Sequence, residues 1–291
     1  MTAHSSASFF RLIRHERINF LLTNRIPRRW ATLLTGRLSR IENPVFTWIS
    51  MWLWQLFAGK IDLSEAKKHR FKSLHDCFVR ELRPGARPVC DSPRVAVSPC
   101  DGIVGAHGAV TGETLFQAKG FPYTLSDLLC DPRLVERYRN GSYITLRLKS
   151  TMYHRFHAPY DCHISGVDYI SGDTWNVNPI ALERIERLFC KNERAVINLE
   201  SEEFKPPITL VAVAAILVAS IRLTFIDKVL DLKYRGSNRL ECDATFLRGE
   251  ELGHFEHGST IIVLSDSAYR VRRSLEPGGI VRAGEPLLEL T

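Results

Sequence analysis

Beyond Pro84 the chain changes texture, and that change most restricts what it can fold into. From there to the C-terminus short β-branched or apolar runs alternate with Gly, Pro, Asp and Asn: 95–97, 103–104, 143–148, 164–169, 195–199, 208–221, 260–264 and 286–290. Runs of this length and spacing predict a mainly antiparallel sandwich or barrel. Helices are expected to interrupt it at 124–139, capped by Thr124 or Ser126, and at 179–190. Before Pro84 the pattern is helical, with two or three helices across 8–57 and another over 61–82 that turns Lys67, Lys68 and His69 outward. The expected class is α+β: a helical region over 1–60, then a β-rich domain over 61–291. Ser98-Pro99-Cys100-Asp101-Gly102-Ile103-Val104 is faintly echoed by the segment 277–286, and such turn-then-strand elements suggest a lipoyl-like β-fold.

Charge separates the two regions. Residues 1–40 hold eight arginines against one acid, Glu16, whereas the remaining residues carry 31 basic and 31 acidic side chains. A basic arm of this kind fits nucleic acid or anionic lipid. Its apolar residues favour lipid. Phe9, Phe10, Leu12, Ile13, Ile18, Phe20, Leu21 and Leu22 alternate with arginines, Trp30, Leu33, Leu34 and Leu38 follow, and the stretch 44–58 contains three of the five tryptophans. Arginine beside Trp, Phe and Leu is the composition of helices lying in a membrane interface. The stretch is shorter than the about 20 residues that span a bilayer, and it lacks the cleavage site of a signal peptide. The bland alternative is a helical hairpin packed on the body. The run 209–221 is short, β-branched and followed by Arg222, which reads as a buried strand. Seven scattered cysteines without a C-x-x-C spacing fit free thiols in a reducing compartment.

The chemistry-bearing residues are few. Gly258-Ser259-Thr260 precedes an apolar β-branched run. A glycine leaves its carbonyl carbon unshielded, and the following serine supplies an oxygen that can attack it. An isolated Gly-Ser pair is usually a turn. Upstream lie Asp101, in the turn Pro99-Cys100-Asp101-Gly102, and His154 and His157, in Tyr153-His154-Arg155-Phe156-His157. Asp101 alone would read as a turn residue, and the histidines as core residues or an H-x-x-H metal pair. A metal needs further ligands, and His107, His163 and His254 stand at no matching spacing. Taken together, Asp, His and Ser supply a carboxylate, a base and a nucleophile. A serine hydrolase would place its serine in a G-x-S-x-G elbow. Here Ser259 leads into a strand, which better suits attack on its own preceding carbonyl.

Several ordered blocks then carry a family resemblance. They are Phe78-Val79-Arg80-Glu81-Leu82 with Arg87-Pro88; Ser98 to Gly102; Gln117-Ala118-Lys119-Gly120; Tyr153 to His157; Val177-Asn178-Pro179; Asn192-Glu193-Arg194; and Gly249-Glu250 with Gly253, Phe255 and Gly258-Ser259-Thr260. From about residue 71 to the C-terminus the chain resembles the long, membrane-associated bacterial phosphatidylserine decarboxylases. The resemblance implies a proenzyme that cuts itself between Gly258 and Ser259, giving a large chain, 1–258, and a small chain, 259–291, capped by a pyruvoyl group made from Ser259. It implies His157, oriented by Asp101, as the base for cleavage. Phosphatidylserine would form a Schiff base with the pyruvoyl carbonyl, lose carbon dioxide and leave as phosphatidylethanolamine. His154 is implied in substrate positioning or proton donation, with the division of roles between His154 and His157 left open. The resemblance further implies a phospholipid membrane as partner, a homodimer, and a peripheral place on the cytoplasmic face of the cell membrane; from the residues themselves, no metal and no nucleic acid are expected.

Four positions depart from the family's habit. His257 stands where leucine is common, Met152 where an aspartate precedes the Tyr-His block, and Ala214 and Ala219 where glycines are common. They bear on maturation rate, a local hydrogen bond and packing respectively. The competing readings are a membrane-binding scaffold that does not mature, a serine hydrolase acting through Ser259, and a nucleic-acid-binding module.

Overall fold

A computed structural model describes residues 27–118, 121–201, 206–216, 220–256 and 259–291. The arm before Pro27, Lys119, Gly120, Ala219, His257 and Gly258 lie outside the described residues.

The fold is mixed helix and strand with mainly antiparallel sheets. Its spine is an eight-stranded sheet in the order Arg239–Phe246, Cys162–Ile170, Arg194–Ser201, Ile208–Ala214, Ser259–Ser265, Ser142–Leu148, Gly102–Ala109 and Ile280–Val281. Every neighbouring pair in it is antiparallel. The central strands are apolar almost throughout because both faces are covered. Alternate residues of Ser259–Ser265 serve two cores: Ile261 and Val263 pack with Leu146 and Leu210 on one face, while Ile262 and Leu264 pack with Tyr143 and Val211 on the other.

A four-stranded sheet, Val229–Asp231, Ser220–Leu223, Glu251–Phe255 and Arg155–His157, lies beside it. The expected single run over 208–221 is therefore two strands in two sheets, broken after Ala214. Val95–Val97, Pro286–Leu290 and Tyr269–Val271 form a third sheet, and Thr114–Ala118 pairs with Phe121–Thr124. The two echoing segments clasp each other. Ile103 pairs with Ile280, the Val104 and Gly278 amides bond Gly279 and Val104 carbonyls, and the Ser98 and Gly284 amides bond Glu285 and Ser98 carbonyls.

Helices Arg28–Leu38 and Pro44–Ala58 precede the sheets. Asn43 caps the second, its side chain accepting the Val45 and Phe46 amides, with Pro44 at the first turn where a missing N–H costs nothing. The expected helix over 61–82 shrinks to Leu74–Phe78, capped by Ser73. The segment folds back on itself instead: the Lys67 amide bonds Glu81, the Arg83 amide bonds Glu65, and Ala66 bridges Leu82. The helix expected over 124–139 is two, Leu125–Leu129 and Pro132–Tyr138, parted by Cys130 in the left-handed region (φ 56°) and restarted by Asp131 before Pro132. Thr124 is the cap, accepting the Asp127 amide, while Ser126 bonds Glu113 instead. The helix expected over 179–190 is also two, Pro179–Leu182 and Leu188–Lys191. Between them the Gln117 side chain takes the Leu182 and Ile185 carbonyls and the Leu188 amide, so the turns cannot close on themselves.

Candidate active site

Three adjacent strands of the large sheet continue into three adjacent strands of the small one. Ile208–Ala214 leads to Ser220–Leu223, Ser142–Leu148 leads to Arg155–His157, and Glu251–Phe255 leads into Ser259–Ser265. The chain thus passes between sheets three times side by side. In the middle one Phe255 ends the small-sheet strand and Ser259 begins the large-sheet strand, paired with Ala214 on one side and Leu148 on the other. The passage from Leu148 to Arg155 carries His154, whose carbonyl accepts the Phe255 amide at 3.0 Å. Gly253 is required beside it, since a Cβ there would lie 2.2 Å from the Arg222 carbonyl oxygen.

Ser259 is buried, and its hydroxyl oxygen has no hydrogen-bond partner among the described residues. A buried hydroxyl normally finds one, so this oxygen is available to act. Thr260 beside it is equally buried.

His157 lies at the end of its strand, with its amide donated to the Pro99 carbonyl at 2.7 Å, which sets the Asp101 turn alongside. Its ring Nδ1 faces the Gly249 carbonyl at 2.9 Å. A carbonyl only accepts, so Nδ1 carries the proton and Nε2 the lone pair. That lone pair accepts from the Tyr153 hydroxyl at 3.1 Å, and the two rings stack. Gly249 presents its carbonyl from a left-handed backbone conformation (φ 85°), where glycine is favoured. Burial lowers the His157 pKa, partly opposed by the Gly249 bond and the charges of Glu251 and Asp101. The ring is therefore a neutral base at pH 7.

Asp101 is held elsewhere. Arg87 grips its carboxylate with two bonds, 2.8 and 2.5 Å, and the Ala283 amide donates a third at 3.0 Å. Among the described residues Asp101 makes no hydrogen bond to His157; its charge acts on the ring through space. Arg87 also bonds Glu65 and lies 5.9 Å over the Tyr153 ring. Burial opposes the Arg87 charge, but Asp101 and Glu65 outweigh it and raise its pKa. Asp101 and His157 thus share a network through Arg87 and Tyr153.

His154 is buried separately. Its Nδ1 lies 2.9 Å from the Met152 carbonyl, and its ring sits 4.0 Å from Phe78, which in turn meets Trp54 at 5.6 Å. The Met152 sulfur accepts the Lys149 amide at 3.4 Å. Ala214 is buried against Ser259 in the sheet. Glu256, in the middle passage, accepts from Arg40 and Ser220, with His75 at 3.7 Å. Burial raises the Glu256 pKa, but the Ser220 and Arg40 bonds and the nearby cations lower it on balance. His163 bonds Asp243 and His254 lies near Glu251, so these histidines serve separate places.

At the head of the Ser259 strand opens a largely apolar cavity of about 710 Å³. Leu148, Ala215 and Ile216 line it together with Leu53, Trp54 and Phe57 of the helix Pro44–Ala58. Ser259 itself does not line the cavity; its strand partner Leu148 does, so a group made from the buried serine would lie behind the cavity wall, one residue pair from an apolar ligand.

The family model for phosphatidylserine decarboxylase matches residues 74–289. The chain belongs to the phosphatidylserine decarboxylase family. It is 34% identical over 272 residues to a phosphatidylserine decarboxylase proenzyme of Vibrio cholerae, covering 90% of this chain and 94% of that one. A proenzyme of the same name from Shewanella loihica is 31% identical over 291 residues, covering 94% and 99%. One from Anaeromyxobacter is 35% identical over 270 residues, covering 90% and 94%.

The family blocks become intelligible as brackets around the passages. Asn192 donates to the Trp175 and Ala214 carbonyls, Arg194 gathers the Leu128, Cys190, Asn192 and Asp127 carbonyls, and Arg155 joins Val79 to Glu251. Arg87 and Tyr153 stand within the family blocks without a chemical signature of their own, and Glu256 and Arg147 carry no sequence signal beyond a charged residue near a motif.

Proposed function

We propose that this chain decarboxylates phosphatidylserine to phosphatidylethanolamine with a pyruvoyl group made by cutting its own Gly258–Ser259 bond. The observation that carries the reading is the buried, unpartnered Ser259 hydroxyl heading the middle of three inter-sheet passages. His157, neutral and tautomerically fixed by Gly249, takes the Ser259 hydroxyl proton once Tyr153 releases Nε2. The serine oxygen bonds to the Gly258 carbonyl carbon, the C–N bond breaks, and the nitrogen takes a proton to leave an ester. Loss of the Ser259 α-proton then breaks the C–O bond. Gly258 leaves as a new carboxyl terminus, and the dehydroalanine at 259 tautomerises and is hydrolysed with loss of ammonia. Asp101 is a positioning residue: it fixes Arg87 against Tyr153 and favours the protonated ring that forms on His157.

A pyruvoyl carbonyl joined to the substrate's amine supplies an electron sink for the departing carbon dioxide. His154, in the passage beside Ser259, is placed to position the headgroup or return a proton. The tryptophan-bearing helices would bring this cavity to the lipid. Trp30, Trp48, Trp52, Val45 and Phe57 are all more than half exposed, an apolar surface larger than scattered side chains require. No helix among the described residues is long and apolar enough to cross a bilayer. We therefore place residues 1–60 as a membrane-interface region on the cytoplasmic face and 61–291 as the catalytic domain. The clasped echo segments favour a lipoyl-like element within its sandwich, and a homodimer is the proposed assembly. The large and small chains, 1–258 and 259–291, would stay together, since Ser259–Ser265 is a central strand.

Variants test the roles. His157→Ala and Asp101→Ala are expected to remain one chain, and His154→Ala to be cut yet decarboxylate poorly. Normal cutting of His157→Ala would remove the proposed base.

A further inference from the structure

Two cations line the cavity at the head of the Ser259 strand, Arg147 and Lys149. Lys149 is exposed, whereas Arg147 is half-buried. The other well-buried arginines are engaged: Arg80 by carbonyls, Arg87 and Arg155 by carboxylates, Arg194 by a ring of carbonyls. Among the described residues Arg147 has no such partner, and burial alone lowers its pKa. A half-buried cation at an apolar cavity without a counter-charge gains from an anionic ligand that supplies one.

The sheet register bears on which anion that is. Arg147 pairs with Thr260, and Leu148 with Ser259. Arg147 and Thr260 share the sheet face opposite to the Ser259 and Leu148 side chains, but the Arg147 backbone is one inter-strand spacing, about 4.8 Å, from the residue next to the reacting position, and Arg147 and Leu148 both line the cavity at the end of the strands. We propose that Arg147 binds the phosphodiester of the phospholipid headgroup. This rests on the reading that residue 259 becomes the reacting centre.

A substrate joined at residue 259 through its serine nitrogen carries two anions, a carboxylate and a phosphodiester. A guanidinium on the carboxylate would stabilise the charge that must vanish and would slow its loss. The phosphodiester keeps its charge throughout, and Arg147 matches its paired oxygens with a two-pronged donor set. Binding of that kind is equal in ground and transition states, so it governs KM and leaves kcat in place.

The test uses the full chain with Arg147→Met, which keeps an apolar stem, Arg147→Gln, and Arg147→Lys. Maturation is checked by mass, then KM and kcat are measured on phosphatidylserine in mixed micelles. The neutral variants are expected to raise KM by about ten- to hundredfold with kcat within about threefold, and Arg147→Lys to recover part of the loss. Unchanged KM in a matured neutral variant overturns the proposal, as does a loss confined to kcat, which would put the guanidinium on the reacting carboxylate. Should neither neutral variant mature, wild-type inhibition decides. Glycerophosphoethanolamine is expected to inhibit where ethanolamine at the same concentration does not, and equal inhibition overturns the proposal. Failure of the wild type to cut or turn over would instead refute the underlying reading of residue 259.

Discussion

Tyr153→Phe should accelerate self-cleavage. In the folded chain the only lone pair that His157 can offer, at Nε2, is occupied by the Tyr153 hydroxyl at 3.1 Å, while Nδ1–H is committed to Gly249. Before the ring can accept the Ser259 proton that bond must break. A neutral hydrogen bond of this kind is worth about 0.5–1.5 kcal/mol net, so removing it lowers the barrier by that amount and speeds cleavage about two- to twelvefold. The substitution keeps the aromatic ring, and with it the stacking on His157 and the contact with Arg87. The assay is the time course of two-chain formation after synthesis of full-length proenzyme, read by denaturing electrophoresis. A tenfold or greater slowing would refute the argument, because Tyr153 would then be relaying the proton and not competing for the base.

Other consequences follow from the same geometry. Because burial lowers the His157 pKa from its ordinary value of about 6.5, the cleavage rate should fall only at acid pH, with its half-maximum below pH 6.5. A half-maximum well above 7 would contradict a buried neutral base. Glu256→Gln, which keeps an acceptor for Ser220 and Arg40 but removes the charge that strengthens both bonds, should destabilise the fold by about 1 kcal/mol. The Glu256 pKa is lowered in the folded state, so its contribution is present above the unfolded carboxylate pKa and is lost as pH falls through the folded one. Wild type and variant should therefore converge in thermal stability at strongly acid pH, and a constant gap would refute the assignment. Replacing Trp48, Trp52 and Phe57 together by Ser should abolish most binding to anionic vesicles in a sedimentation assay, and full retention would remove the membrane role of this helix.

The sequence made the strands of the central sheet legible because their apolar runs are buried on both faces, as in Tyr143 to Leu148 and Thr260 to Leu264. Arg239–Phe246 escaped notice because only Leu240 in it is buried, and Glu251–Phe255 because it is short and carries Gly253 and two partly exposed polar residues. The helix over 61–82 failed for a non-local reason, the pairing of Lys67 with Glu81. Asp101, His154, His157 and Ser259 could be named from motifs, but their wiring could not. That Asp101 answers to Arg87 and that Tyr153 occupies His157 are facts of three-dimensional packing with no periodic trace. Nor could spacing reveal that the strands ending at Leu148, Ala214 and Phe255 and those beginning at Arg155, Ser220 and Ser259 are neighbours in two sheets, the arrangement that singles out one serine.

Intact mass spectrometry of the purified protein under denaturing conditions tests the central claim most directly. The account predicts two chains, the smaller beginning at residue 259 with a pyruvoyl mass in place of serine. A single chain of full-length mass with an ordinary serine at 259, persisting at the cleavage pH optimum, would contradict it.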